Sequence, residues 1–231
     1  SSSIKYKLYE MQTETVLAAG GIEKVGLPGS FLKATLSDGS KKIINRECPT
    51  HTEGIRLMFD TLLDREIGAI GSLDEISAAG HRIVAGGTYT QSQIVTDSML
   101  EGWKPFMELA PLHSDAHLKG YMAVRDMLPQ LPQVFVFDTA FHQTMPEKAY
   151  MYALPYRYYT DYHFRRYGAH GTSHRFVTQR AGEFLGFDPK DKRIITCHIG
   201  NGASVSAVDH GKCVDTSMGL TPLEGVMMTM S

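Results

Sequence analysis

The sequence predicts a mixed α/β protein, on the basis of three observations. Residues 4–8 alternate between apolar and polar side chains, which is the pattern of a half-buried strand. The continuous apolar run Val134-Phe135-Val136-Phe137 is typical of a central strand that is covered on both faces. Strands alternate with helices early in the chain, and hairpins recur at residues 1–10, 31–45 and 193–216. A domain boundary is expected near residues 142–155.

A hairpin and a helix are predicted after the N-terminal strand. Residues 31–36 and 41–45 flank Ser37-Asp38-Gly39-Ser40, a run of turn residues, and this arrangement predicts a hairpin. Apolar side chains recur at helical spacing over residues 52–63, which predicts an amphipathic helix.

The middle of the chain contains a short strand and two helices before the apolar run. The strand is predicted at residues 82–84. One helix is predicted from Asp97, with the aspartate as its cap, to about Leu109. The other covers residues 115–128 and ends at the prolines that follow.

The C-terminal part combines one more helix with three strands. Residues 176–185 are predicted to form an amphipathic helix. Residues 193–199 are apolar enough to predict a second buried strand. Residues 204–208 and 213–216 surround Asp209-His210-Gly211-Lys212 and are predicted to form a hairpin.

Composition excludes several classes of function. The 231 residues carry a net charge of −2, which argues against nucleic acid as a partner. Three scattered cysteines predict a reducing cytosol rather than a disulfide framework. No membrane span or signal peptide is predicted. Because the chain opens without Met, we expect an internal piece of a longer protein.

The segment Gly168-Ala169-His170-Gly171-Thr172-Ser173-His174 combines flexible backbone, two imidazoles and two hydroxyls just before a predicted helix. Arg165 and Arg166 precede it. Since the N-terminal end of a helix is positive, the segment suits an anion such as a phosphoryl group.

The sequence does not favour a zinc site at this segment. His170 and His174 are four residues apart, but they straddle the predicted helix start and lack the glutamate of zinc-protease motifs. His113 and His117 have the same spacing, and a structural role is expected for them as well.

Four further features each have a functional and a structural interpretation. Asp138, at the end of its strand, either positions reacting groups or caps the next turn. Gly200-Asn201-Gly202 either turns N–H groups toward a phosphate or makes a hairpin turn, which the motif alone favours. Arg82 either binds a carboxylate or phosphate or forms a surface ion pair. Ser1-Ser2-Ser3 with Lys5 is either a phosphate loop or a flexible terminus.

Taken together, these segments resemble the acetate kinase family, which phosphorylates acetate and related short-chain acids. The resemblance is collinear over the whole chain. Its motifs are Ser1-Ser2-Ser3-Ile4-Lys5-Tyr6, Gly80-His81-Arg82-Ile83-Val84, Glu108-Leu109-Ala110-Pro111-Leu112-His113, Phe137-Asp138-Thr139-Ala140-Phe141-His142-Gln143-Thr144-Met145-Pro146, Arg166-Tyr167-Gly168-Ala169-His170-Gly171-Thr172-Ser173-His174, Thr196-Cys197-His198-Ile199-Gly200-Asn201-Gly202-Ala203-Ser204 and Asp215-Thr216-Ser217-Met218-Gly219.

The resemblance implies a two-domain fold like that of actin and hexokinase (ribonuclease H-like), with an incomplete second domain. The implied domains are residues 1–145 and residues 146–231, the latter being the first part of a nucleotide-binding domain. The implied enzyme is a cytoplasmic homodimer that uses ATP and Mg²⁺ to convert acetate reversibly into acetyl phosphate by direct in-line transfer.

The resemblance also implies roles for individual residues. Arg82 matches the arginine that binds the carboxylate and the transferring phosphoryl group, Asp138 the essential carboxylate, and His170 the transition-state stabiliser. His113 matches a supporting histidine on the substrate side. The residues that match the pocket for the acetate methyl group are Val84, Leu112 and Pro222. The residues that match contacts to the ATP phosphates are Lys5, His198, Ile199, Gly200, Asn201 and Gly202.

This chain departs from the family pattern at several points. The family's Asn-Gly before the serines is absent, and its second active-site arginine would fall at Ser231. The adenine pocket and the metal ligands would lie outside residues 1–231, so we expect a chain truncated at both ends. Ala169 replaces a phenylalanine that closes the acyl pocket, and Ala85 replaces a histidine. The small Ala169 suggests room for a longer acid such as propionate.

Three functions therefore stay open on the sequence alone. The first is acetate kinase, and the second is a propionate or other short-chain acyl kinase, since one methylene of pocket separates the two. The third is a catalytically incomplete fragment that at most binds phosphate or dimerises.

Overall fold

A computed structural model describes residues 3–228, apart from the side chain of Leu112. Ser1 and Ser2 of the possible phosphate loop, and Ser231 at the position of the family's second arginine, lie outside the described residues.

The chain forms two compact units that are interleaved in sequence: Ser1–Ala79 with Asp115–Gln133, and Gly80–Ser114 with Val134–Ser231. The division at residues 145 and 146 that the resemblance implies stays a prediction. No helix within the described residues has both the length and the apolar character needed to cross a membrane.

The first unit begins with a four-stranded antiparallel sheet whose strands lie in sequence order. The strands are β1 (Ser3–Glu10), β2 (Thr15–Glu23), β3 (Phe31–Thr35) and β4 (Lys41–Asn45). On β1, Ile4, Tyr6 and Leu8 are partly buried, whereas Lys5 and Lys7 are exposed. The predicted alternation and the predicted hairpin at residues 31–45 are both confirmed.

Helix α1 (His51–Leu62) covers the apolar face of this sheet. It begins where Thr50 caps it by accepting a hydrogen bond from the Glu53 N–H. The core contains Ile22 and Leu32 from the sheet and Phe59 from the helix, all buried. A short 3₁₀ helix, Leu73–Glu75, follows.

The remaining elements belong mainly to the second unit, except that most of α3, from Asp115 on, belongs to the first. They are strands β5 (Ala79–Ile83) and β6 (Gln93–Ile94), helix α2 (Asp97–Trp103), a 3₁₀ helix (Lys104–Leu109), helix α3 (Pro111–Met127), strand β7 (Gln133–Phe137), a 3₁₀ helix (Ala140–Thr144), helices α4 (Glu147–Tyr150), α5 (Arg157–Tyr162) and α6 (Gly171–Leu185), a 3₁₀ helix (Pro189–Asp191), and strands β8 (Arg193–Ile199), β9 (Ala203–Asp209) and β10 (Lys212–Thr216).

The predicted central strand is confirmed, because β7 lies between β5 and β6 in a three-stranded sheet. Phe135 and Phe137 of β7 are fully buried. Trp103 packs edge-on against Phe135 and donates its indole N–H to the Ala85 carbonyl at 2.8 Å. The contact between Trp103 and Phe135 thus fixes the loop after β5 against strand β7, which Asp138 follows.

The predicted helix at residues 97–109 needs two corrections. Its cap is Thr96, whose hydroxyl accepts the Met99 N–H at 3.1 Å, and Asp97 is the first helical residue. The α-helix ends at Trp103 and continues as a 3₁₀ helix. Pro105 explains the change, because it has no N–H for an α-helical hydrogen bond.

The predicted strand at residues 193–199 is confirmed as β8, but the prediction that it is buried is wrong. Strand β8 is an edge of the antiparallel sheet β10-β9-β8, and α6 packs against it. Thr196 is buried, whereas Ile195 and Ile199 are 66% and 71% exposed. Successive side chains of a strand point to opposite faces, so one helix buries only alternate residues.

Candidate functional site

Arg82 and Asp138 form an ion pair at the end of the three-stranded sheet β5-β7-β6. Asp138 follows β7, and its backbone N–H donates to the Ile83 carbonyl at 2.8 Å. Its carboxylate accepts hydrogen bonds from Arg82 Nε, at 3.0 and 3.2 Å, and from Nη2, at 2.6 Å. The side chain of Asp138 is 2% exposed and that of Arg82 is 64% exposed. The carboxylate is therefore paired with Arg82 and does not cap the following turn.

This pair leaves part of the Arg82 guanidinium available. Hydrogen bonding to Asp138 raises the pKa of Arg82, which keeps the guanidinium cationic. A guanidinium has five N–H donors, and Asp138 occupies those on Nε and Nη2 along one edge. The exposed remainder suits a carboxylate or a phosphoryl group.

The amino end of α6 is fastened directly to Asp138. The Gly171 N–H donates to the Asp138 carbonyl at 2.8 Å. A Cβ on Gly171 would lie 2.2 Å from that carbonyl oxygen, so only glycine permits the approach. His170 precedes the helix with a left-handed backbone, at φ 59°. The fold thus brings His170 and the positive end of a helix to the Arg82–Asp138 pair.

His170 belongs to a cluster of imidazoles rather than standing alone. Its ring stacks on His198 with centroids 4.0 Å apart, and its Nδ1 lies 2.8 Å from Ser204 Oγ. His198 in turn bonds to Ser173 Oγ at 2.9 Å. Burial and neighbouring imidazoles lower the pKa of His170 to about 4. The ring is therefore neutral at pH 7, and a neutral imidazole can interact with an anion only by donating a hydrogen bond, not by carrying charge.

The loop Gly200-Asn201-Gly202 is the hairpin turn between β8 and β9. The Gly200 N–H donates to the Gly202 carbonyl at 3.0 Å. A Cβ on Gly202 would lie 3.4 Å from His170 Nε2, so the turn passes beside that ring. The motif thus forms the hairpin turn that was its structural interpretation. Contacts of this loop and of Ile199 to ATP phosphates stay a prediction.

A small, mostly apolar pocket lies in the same unit. It contains Val84 and Pro222, two of the three residues predicted to hold an acetate methyl group, whereas the side chain of Leu112 lies outside the described part. The lining residues are Val84, Ala85, Leu109, Ala110, Thr139, Tyr167, Gly168, Leu220 and Pro222. Ala169 is buried but is not among them. A short acyl chain as the ligand of this pocket stays a prediction.

Other predicted residues lie elsewhere or have other partners. Lys5 is exposed on β1 of the first unit, so its role stays a prediction. His113 lies in the first turn of α3, and partial burial lowers its pKa. Arg165 stacks on Tyr150, and Arg166 donates to the Thr216 carbonyl at 2.7 Å. These two arginines therefore serve the structure around the segment.

Sequence reasoning missed the polar residues behind His170. Ser204, Thr196 and His142 are all buried, and His142 lies between the Ala169 carbonyl at 2.9 Å and Cys213 Sγ at 3.1 Å. Thr196 and Ser204 are the first and last residues of one of the family motifs. The strand pattern of a sequence does not show with which imidazole a hydroxyl will form a hydrogen bond.

The described residues do not by themselves fit a metal site. Within residues 3–228, no three His, Cys, Asp or Glu side chains are grouped as metal ligands. Asp138 is held by Arg82, and His170 and His174 share Ser204.

Comparison with known proteins gives consistent matches. A model of the Acetokinase family matches residues 1–231. The acetate kinase of Phocaeicola vulgatus is 61% identical over 99% of this chain and 58% of its own length, and that of Thermotoga maritima is 54% identical over 99% and 57%. The chain thus spans little more than half the length of these relatives.

Solved structures show the same similarity in three dimensions. The acetate kinase of Porphyromonas gingivalis matches with a TM-score of 0.93 and 51% identity, over 99% of this chain and 57% of that one. A propionate kinase from Francisella tularensis subsp. tularensis matches with a TM-score of 0.91 and 38% identity, over the same shares. The mixed α/β fold of such kinases, present here in part, is therefore confirmed.

Proposed function

The chain belongs to the Acetokinase family, and from that premise we propose that it serves the reversible, ATP-dependent phosphorylation of acetate to acetyl phosphate. Several curated relatives over 50% identical are named acetate kinase. ATP as phosphoryl donor, Mg²⁺ as its companion ion, a homodimer and a cytoplasmic location are parts of this proposal that the family resemblance supports.

One observation carries the proposal. The Gly171 N–H donates to the Asp138 carbonyl and so joins the start of α6, next to His170, to the end of β7. The Asp138 carboxylate at this strand end is paired with Arg82. Three residues proposed for catalysis therefore come together within one compact unit. The small apolar pocket with Val84 and Pro222 belongs to the same unit.

The chemistry of the side chains agrees with this reaction. A carboxylate such as acetate is ionised near neutral pH, so its attack on phosphorus needs little base catalysis. The difficulty is to bring two anions together and to stabilise the charge as it spreads. Arg82 supplies a fixed positive charge, His170 a neutral N–H donor, and α6 its positive end.

Asp138 is proposed to organise Arg82 rather than to act as a general base. Both of its oxygens accept hydrogen bonds from the guanidinium. The pairing holds the planar group in one orientation, and preorganised charge of this kind lowers the barrier because it needs no rearrangement during reaction.

Two alternatives are set against acetate. A propionate kinase is among the similar solved structures, and only one methylene separates propionate from acetate. A catalytically incomplete fragment is the other alternative, since the chain covers 58% of the P. vulgatus relative.

The test is acyl phosphate formation, measured by trapping with hydroxylamine, in this chain and in the full-length protein. We expect the full-length protein to form acetyl phosphate. Activity of the 231-residue chain alone would remove the fragment alternative. Arg82→Lys and Asp138→Asn should each lower kcat by roughly 10²–10³-fold. The control Arg46→Lys, at an exposed ion pair with Asp60, should change it little. Full turnover in Asp138→Asn would contradict the role given to that residue.

A further inference from the structure

A chain of hydrogen-bonding side chains runs behind His170. Ser204 Oγ lies 2.8 Å from His170 Nδ1 and 2.8 Å from His174 Nε2. The other ring nitrogen of His174, Nδ1, lies 2.7 Å from Thr196 Oγ1. The order Thr196–His174–Ser204–His170 links β8, α6 and β9, and we call these four residues the relay.

Three members of the relay are out of reach of solvent. Thr196, His174 and Ser204 are 3%, 1% and 0% exposed. Buried hydroxyl and N–H groups almost always have hydrogen-bond partners. Burial also lowers the pKa of His174 to about 4, as it does for His170. At pH 7 each ring therefore carries one N–H and one acceptor nitrogen.

In one direction, every donor of the three buried members is used. Thr196 O–H donates to His174 Nδ1, His174 Nε2–H donates to Ser204 Oγ, and Ser204 O–H donates to His170 Nδ1. His170 must then carry its proton on Nε2.

In the reverse direction, one buried donor is left over. His170 Nδ1–H would donate to Ser204, Ser204 to His174 Nε2, and His174 Nδ1–H to Thr196 Oγ1. The Thr196 O–H would then need a different acceptor, and among the described residues its oxygen has only His174 as a hydrogen-bond partner. The first direction is therefore favoured.

We infer that Thr196, His174 and Ser204 are positioning residues that hold His170 as the Nε2–H tautomer. Within residues 3–228, His170 Nε2 has no hydrogen-bond partner, whereas Nδ1 is held by Ser204. The relay thus makes the remaining ring nitrogen a donor toward an anion. The other tautomer would present a lone pair, which repels negative charge. That the anion is a transferring phosphoryl group rests on the proposed function.

The tautomer is measured directly by two-bond ¹H–¹⁵N correlation spectra of the ¹⁵N-histidine-labelled protein. We expect His170 and His174 both to carry the proton on Nε2 at pH 7. Loss of each set of signals in His170→Gln and His174→Gln assigns the rings. A proton on His170 Nδ1 would overturn the inference.

Substitutions at Thr196 test whether the relay acts on the reaction. Thr196→Val keeps the shape and removes the hydroxyl. In the full-length protein it should let His170 populate both tautomers and lower kcat about tenfold, with little change in KM for the carboxylate. Thr196→Ser restores a hydroxyl and should restore both readouts.

The matched control is Thr178→Val, because the Thr178 hydroxyl is also buried but donates to the His174 backbone carbonyl, at 2.8 Å, and to none of the relay side chains. It should leave the tautomer and kcat unchanged. If Thr196→Val lowers the melting temperature as Thr178→Val does and leaves tautomer and kcat intact, Thr196 is only structural and the inference fails. The spectra test the relay even if no acyl phosphate is formed, so the failure of the relay and the failure of the proposed function are distinguishable.

Discussion

At the scale of single residues, burial sets the charge of the histidines at the site. His170 and His174 both have a pKa of about 4, mainly because burial disfavours the imidazolium. Arg82 stays cationic beside the Asp138 carboxylate. The site therefore combines one fixed positive charge with neutral donors.

These low pKa values predict a stability that depends on pH. Between about pH 6.5 and about pH 4 the unfolded histidines bind protons that the folded ones do not, so the free energy of unfolding should fall as the pH falls through this window. Urea unfolding at several pH values measures the slope. His174→Gln should reduce it, and His210→Gln, at an exposed ring, should not. Equal slopes in all three proteins would contradict the prediction.

Ala169 leads to a prediction about substrate size. The side chain is buried, and the resemblance to the family implies a phenylalanine at this position. Ala169→Phe in the full-length protein should shift preference from propionate toward acetate, by up to about 10–200-fold for one methylene. The ratio of kcat/KM for the two acids measures the shift. An unchanged ratio, in a variant that melts at the original temperature, would remove Ala169 as a determinant of specificity.

At the scale of elements, the start of α6 positions the site. Gly171 is its first residue and packs against the Asp138 backbone, whereas Gly186, just after the helix, has a left-handed φ of 71° in open space. The two glycines therefore serve different needs, close approach at one end and backbone conformation at the other.

Substitution of these glycines should separate the two effects. In Gly171→Ala the new Cβ clashes with the Asp138 carbonyl. The substitution should lower the free energy of unfolding by about 1–3 kcal/mol and should also lower activity. Gly186→Ala should cost about 1–2 kcal/mol through its backbone strain and leave activity in place. Chemical denaturation and the hydroxylamine assay on the full-length protein are the measurements. Activity retained in Gly171→Ala would show that this packing does not position the site.

At the scale of the whole molecule, the second unit exposes apolar side chains. Ile195 and Ile199 of β8 are exposed, as are Phe184 and Leu185 near the end of α6. Exposed apolar side chains of this size favour association.

We therefore expect the 231-residue chain to bind a hydrophobic dye strongly and to self-associate as its concentration rises. Ile195→Thr with Ile199→Thr keeps β-branched residues in the strand and should lower both effects. Ile94→Thr, at a similarly exposed isoleucine on β6, is the control. Dye fluorescence and light scattering measure the outcome, and no difference between the double variant and the control would contradict it.

Much of the fold followed from local patterns. The alternation at residues 4–8, the apolar run at residues 134–137 and the turn residues at 37–40 each predicted the element that the structure contains. Such patterns repeat over a few residues, which is the range over which strand and helix periods are expressed. The family motifs also predicted that Arg82, Asp138 and His170 belong to one site, and their catalytic roles stay a prediction.

Tertiary structure alone decided which groups meet. Asp138 and Arg82 are 56 residues apart, and Ser204 is 30 residues beyond His174. The periodicity of a strand or helix does not predict such contacts, because they depend on which distant segments of the chain pack together. The exposed face of β8 was decided in the same way, since its apolar residues predict burial and only the packed helix shows which of them are covered. The sequence by itself thus determined the family and the residue types of the site, whereas the tertiary structure determined their hydrogen-bond partners, their burial and hence their charge.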